Sequence, residues 1–128
     1  MEKIKYNQQS IDILTMIVSV FLFLEGIWGL FSPVVFGIFS TNVLHAVIHL
    51  ALGAVGIFLS ARAKSREFAV FLGALLLLVG IFYYLPDLGD LVVRLLNVNS
   101  SVAVFNIIVG IVLLSISLPS KLTKSNQR

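Results

Sequence analysis

Residues 43–66 read VLHAVIHLALGAVGIFLSARAKSR. The first nineteen of these, Val43–Ala61, hold no Asp, Glu, Lys or Arg, and Arg62, Lys64 and Arg66 close the run. As a helix such a stretch reaches about 28 Å, the depth of a bilayer's hydrocarbon core. Three further runs have the same character: Ile13–Phe31, Phe68–Leu85 and Val102–Leu118. Across the four runs Glu25 is the sole carboxylate, and no Lys or Arg occurs in any of them.

Composition agrees with a lipid environment. The chain has 128 residues, of which 59% are apolar and 12% charged, with a mean hydropathy of +1.05. A core of that size cannot hide so much apolar surface from water. In hydrocarbon every backbone N–H and C=O needs an internal partner, which leaves helices or closed barrels. Barrel strands would alternate apolar with polar residues, and these runs do not. The expected fold is therefore all-α, a four-transmembrane-helix bundle, with residues 1–128 forming a single integral membrane domain. Lys3 and Lys5 before the first run resemble the start of a signal peptide. The run is too long for one, carries Glu25 and lacks a small-x-small cleavage pattern, so it is expected to be retained.

Charge sets the expected topology. Lys3 and Lys5 precede run one, Arg62, Lys64 and Arg66 separate runs two and three, and Lys121, Lys124 and Arg128 follow run four. Only Arg94, beside Asp87 and Asp90, lies elsewhere. Eight of the nine basic residues thus fall on one side. The positive-inside rule makes that side the cytoplasm and the location the plasma membrane, with both termini inside. Charges divided between two tails and a short turn form no stripe for nucleic acid, so the partner implied is the lipid bilayer. With no cysteine, thiolate chemistry and Cys-ligated zinc are excluded. Trp28, Tyr83 and Tyr84 fall near the outer ends of runs one and three, where amphipathic rings favour the headgroup region.

The chain also carries an internal echo. Leu24-Glu25-Gly26-Ile27-Trp28 resembles Leu78-Val79-Gly80-Ile81-Phe82 at an offset of 54, and Asn42, His49 and Gly53 align with Asn99, Asn106 and Gly110 at an offset of 57. Three residues inserted in the second connection account for the difference. The expectation is a two-plus-two parallel repeat about an axis normal to the membrane. Leu88, Leu91, Val92, Leu95 and Leu96 recur at helical spacing within residues 87–98, which predicts a short interfacial helix between runs three and four. Asp87 and Asp90 are expected at its start rather than as calcium ligands. The shorter stretch Pro33–Phe39 is expected to form one helical turn or a re-entrant kink.

Small and polar residues at steps of three or four mark the inward faces. In run two these are Asn42, His45, His49, Gly53, Gly56 and Ser60. Run three gives Gly73, Gly80 and Tyr84, run four gives Asn106, Gly110 and Ser117, and Glu25 shares a face with Gly29. Membrane helices associate through such small residues and through interhelical hydrogen bonds. Gly29, Gly53, Gly56, Gly80 and Gly110 are therefore the expected packing positions. Glu25, His45 and His49, with Asn42 and Asn106, are the expected buried polar network. Glu25 and His49 both lie roughly 9 Å from the outer ends of their helices, and Asn106 reaches a similar level. Two readings of this layer follow: hydrogen-bonded glue between helices, or a site for a proton, cation or small ligand. His45 and His49 have the spacing at which two imidazoles share a metal, but Ala46 stands where a metalloprotease has Glu, and no metal or cofactor is expected.

The string Asn42-Val43-Leu44-His45-Ala46-Val47-Ile48-His49 with Gly53 resembles the second-helix signature of a bacterial four-helix membrane family, domain of unknown function 4383. The resemblance extends from about Leu14 to Leu118 in helix count and connection lengths. In that family an Asn often follows the first His, where this chain has Ala46, and helix four often carries a His, where this chain has Asn106. These departures count against a histidine-rich metal centre. The resemblance implies the fold and no activity. With no activated nucleophile, paired carboxylates or cofactor motif, the expected role is a non-catalytic scaffold or subunit, as a homo-oligomer or with another membrane protein.

Overall fold

Helix α1 runs Glu2–Gly29, and its apolar part, Asn7–Gly29, is long enough to cross a membrane. The computed structural model describes residues 2–118, with side chains from residue 7 onward. Lys121, Lys124 and Arg128, and the side chains of Lys3 and Lys5, lie outside the described residues. After α1 come β1 (Val34–Val35), β2 (Phe39–Ser40), α2 (Val43–Ala61), α3 (Arg66–Tyr83), α4 (Leu88–Leu96) and α5 (Ser100–Ser117). Helices α2, α3 and α5 are also long and apolar enough to span a bilayer, so this is a multi-pass membrane protein. Helix α1 begins well before the first apolar run because Gln8, Gln9 and Asp12 do not interrupt helical backbone; hydropathy marks the span, not the helix.

Helix α1 pairs with α2, and α3 pairs with α5. Ile11, Val18 and Leu22 of α1 meet Ala69, Leu72 and Leu76 of α3 and Leu113 of α5, so one apolar cluster joins the two pairs. The pairs themselves close through glycines. A methyl group added to Gly53 would stand 2.7 Å from both the Ser19 carbonyl oxygen and the Phe23 nitrogen. At Gly110 it would stand 2.7 Å from the Gly73 oxygen and 2.8 Å from the Leu77 nitrogen. Gly26 faces the Ala46 oxygen and Leu50 nitrogen, and Gly80 faces the Ala103 oxygen and Ile107 nitrogen. Each pair therefore brings backbones together with no side chain between them, the packing expected where lipid supplies no hydrophobic drive.

Residues 33–39 correct the sequence reading. They form neither a helical turn nor a re-entrant kink but part of a small hairpin, with Val34 opposite Ser40 and Val35 opposite Phe39. The Ile38 N–H donates to the Val35 oxygen at 3.2 Å, closing a turn whose central residues Phe36 (φ 54) and Gly37 (φ 74) are both left-handed. That backbone turns the chain back on itself in the sense favoured by paired strands, while Pro33 blocks continuation of α1. A left-handed phenylalanine is costly, and nothing in the local sequence announces it.

Helix α4 forms as the apolar spacing predicts. Arg94 lies in its last turn, where a cation suits the helix dipole, and left-handed Asn97 (φ 52) ends it. Gly89 and Val92 are buried, whereas Leu88, Leu91 and Leu95 remain exposed. Four hydrogen bonds clasp this segment to the first connection. Asn42 Nδ2 donates to the Leu95 oxygen (2.8 Å), Asn97 Nδ2 to the Thr41 oxygen (2.8 Å), Asn99 Nδ2 to the Ile38 oxygen (2.9 Å), and Ser40 Oγ to the Asn97 oxygen.

The opposite end is held by Asp12. Its Oδ1 accepts from Gln8 Nε2 (2.9 Å), the Ser65 N–H (3.3 Å) and Ser65 Oγ, tying α1 to the start of α3. Arg66 Nε reaches the Ser117 oxygen of α5 at 3.1 Å. Asp12→Ala leaves the Ser65 hydroxyl and amide unpaired and is expected to cost about 1–2 kcal/mol in thermal unfolding, with Asp12→Asn losing less. Equal melting temperatures for parent and Asp12→Ala would contradict this role.

Candidate functional site

Glu25 is buried because it lies on the α1 stripe that faces α2. Along that face Thr15, Ser19, Gly26 and Gly29 recur at helical spacing, and the chain leaves only 4% of Glu25 exposed. Across from it, α2 turns His45, His49, Gly53, Gly56 and Ser60 inward, all buried as the stripe predicts. Glu25 Oε2 stands 3.6 Å from His49 Nδ1, and both side chains are at most 5% exposed. This oxygen makes no hydrogen bond among the described residues.

His45 and His49 lie one helical turn apart with ring centroids 4.2 Å apart and planes at 70°. His45 Nδ1 is 3.0 Å from the carbonyl oxygen of Leu96, the last residue of α4. A carbonyl can only accept, so Nδ1 of His45 carries a hydrogen. The layer thus runs from the Glu25 carboxyl group through two imidazoles to the C-terminus of α4. At a rise of 1.5 Å per residue, His45 is within a turn of the α2 start at Val43.

Of the other expected members, Asn42 caps α2. Its Oδ1 accepts the His45 N–H at 2.8 Å, as Asn99 Oδ1 accepts the Val102 N–H at 3.0 Å at the start of α5. Asn106 is buried on α5, but no hydrogen bond among the described residues joins it to Glu25 or either histidine. Its helix is paired with α3, not with α1. Gly29 abuts Thr41 and Ala46, and Gly56 abuts the Ser19 side chain. Tyr84 leaves its expected inward stripe, because α3 ends at Tyr83 and Tyr84 is turned outward, edge-on to Tyr83 with centroids 5.0 Å apart.

The structure adds residues the sequence reading passed over. Thr15, Ser19, Ser60 and Ser117 are buried, and their hydroxyl oxygens have no hydrogen-bond partner among the described residues. Asp12, Thr15 and Ser19 share helical spacing with Leu22 and Gly26, the signal by which they could have been found. An open groove of about 530 Å³ lies near Asp12, lined by Gln8, Ile13, Met16, Ile17, Ser60 and Ala63, at the other end of the bundle from the Glu25 layer. Among the described residues no three His, Asp or Glu side chains form a set able to hold a metal ion.

The chain belongs to the family described as a domain of unknown function (DUF4383), whose family model matches residues 32–118. That span contains α2 to α5 and both histidines, while Glu25 precedes it. Neither curated proteins nor solved structures give a match.

Proposed function

We propose that the protein is a non-catalytic scaffold or subunit of the plasma membrane, built as a two-plus-two parallel repeat with both termini in the cytoplasm. The observation that carries this reading is the glycine register. Gly26 and Gly80, with their backbone partners Ala46 and Leu50 against Ala103 and Ile107, correspond at the offsets of 54 and 57, as do Gly53 and Gly110. Two pairs packed alike, clasped at one end by Asn42, Asn97 and Asn99, make a rigid unit whose outer surface is mostly apolar. Such a unit suits assembly, with a second copy or another membrane protein, and not chemistry on a soluble substrate or on nucleic acid. The cytoplasmic placement rests on Arg62, Lys64 and Arg66 in the α2–α3 turn, together with the basic residues of both tails.

Single cysteines at the exposed positions Glu67 and Ser100 test the orientation. In intact cells Ser100→Cys is expected to react with an impermeant maleimide and Glu67→Cys only after permeabilisation. The reverse pattern would contradict the topology. For the assembly, native electrophoresis of mildly solubilised membranes is expected to show a complex larger than the monomer; monomer alone at every expression level would contradict a subunit role.

A further inference from the structure

The two helix pairs form an internal comparison. Both pack by the same glycines, yet the positions equivalent to Thr15, Ser19 and Glu25 in α3 are Ala69, Gly73 and Val79, and those equivalent to His45 and His49 in α5 are Val102 and Asn106. The α3–α5 pair is therefore closed with apolar residues where the α1–α2 pair places a carboxyl group and an imidazole. Helix association in this fold does not need Glu25 and His45. Ionisable groups in hydrocarbon are expensive, and replacing a buried polar pair by apolar residues is often stabilising, so glue alone does not account for them.

We propose that Glu25, His49 and His45 form a proton-binding site, open to exchange from the connection end and coupled to α4. The layer is built for positive charge. A carboxyl group lies on one side, the C-terminal carbonyl of α4 on the other, and two protonatable bases lie between them. With one proton between Glu25 Oε2 and His49 Nδ1 the pair is neutral overall, whether the proton resides on oxygen or nitrogen. A second proton, taken up from water near the start of α2 through His45, leaves one net positive charge that the α4 carbonyl end stabilises. Size favours the proton over other cations. Beside the layer, a methyl group at Gly26 would lie 2.8 Å from both the Ala46 oxygen and Leu50 Cγ, so the helices touch and leave no room for a hydrated ion.

The titratable groups around the layer are few. Helix α1 adds Asp12, bonded to Ser65 at the far end. Helix α3 adds Arg66 and Glu67 at that same end and Tyr83 at the near one. Helix α4 adds Asp90 and Arg94, both exposed, with Asp87 preceding it, and α5 adds none. The site deepens the scaffold reading without depending on the scaffold's partners.

The chain contains two histidines, both in this layer, so an untagged, ¹⁵N-histidine-labelled sample in phosphatidylcholine nanodiscs reports on it alone. Across the pH range in which the protein stays folded, the parent is expected to show an imidazole titration and a matching pH-dependent shift in melting temperature. The variant Glu25→Val/His45→Val/His49→Asn, which copies the second pair, is expected to fold, to melt no lower than the parent and to lose the pH-dependent shift. If it fails to fold, Glu25→Gln and His49→Gln, which retain hydrogen bonding, are each expected to lose that shift. Imidazole signals unmoved across the range, or an undiminished shift in the variants, would overturn the proposal. So would a Zn²⁺-induced rise in melting temperature that the variants abolish, which would make the layer a metal site. A variant with the wrong maleimide pattern would fail the topology instead, which keeps the two readings separate.

Discussion

Gly53→Leu and Gly110→Leu should each lower the stability of the detergent-solubilised protein by about 1–3 kcal/mol. At both positions even a methyl group falls 2.7–2.8 Å from backbone atoms of the partner helix, and backbone cannot swing aside as a side chain can. The pair must separate along its length, which also loosens Gly26 against Ala46 or Gly80 against Ala103. Ile108→Val, on a residue 57% exposed to the surroundings of the bundle, is the control and should change little. Similar losses at Gly53 and Gly110 are expected, because at both an added methyl group meets partner backbone at 2.7 Å, as the proposed repeat requires. A loss at one with none at the other would count against the shared register, and no loss at either would remove the packing scheme.

The second large effect concerns the caps. Asn42 and Asn99 each use Oδ1 to cap a helix and Nδ2 to bond the opposite connection. Substitution by Ala removes an N-cap worth about 1 kcal/mol and leaves a carbonyl of the clasp unpaired, for a combined cost of about 1.5–3 kcal/mol. Asn→Asp at either site keeps the cap and loses the donor, so it should recover only the first part. Melting curves of Asn42→Ala, Asn42→Asp and parent are expected to fall in that order of rising stability. Equal curves for Asp and parent would show that the clasp contributes nothing.

What the sequence disclosed and what it hid follow from physics. Spans were legible because hydrocarbon demands long charge-free helices, and Val43–Ala61 is both the quoted run and the observed α2. The inward stripe of α2 was legible because period and residue size agree along it. Phe36 was not, since a left-handed phenylalanine is imposed by the hairpin and not by its own preference. Asn97 follows the last leucine of the apolar spacing; its bond to Thr41 spans 56 positions, and no local pattern encodes that. Thr15 and Ser19 were submerged in the average hydropathy of the first run, and Asp12 lies one residue before it. Asn106 matches Glu25 in depth and lies on the inward stripe of its helix, but the pairing of α5 with α3 decides its neighbours. Glu25 and His49, matched in depth and each costly to leave unpaired in lipid, stand 3.6 Å apart.

The account turns on that last contact, since the facing of the α1 and α2 stripes and the proposed proton site both require it. Solid-state NMR dephasing between ¹³Cδ of glutamate and ¹⁵N of histidine, recorded on the protein in lipid bilayers, measures it directly. Both histidines lie in the layer, and Glu67, in the first turn of α3, sits at the other end of the bundle, so the signal has one origin. Strong dephasing is predicted, in keeping with the 3.6 Å separation of Glu25 Oε2 and His49 Nδ1. Absence of dephasing, which would put the groups beyond about 6 Å and out of reach even of a bridging water, would contradict the account.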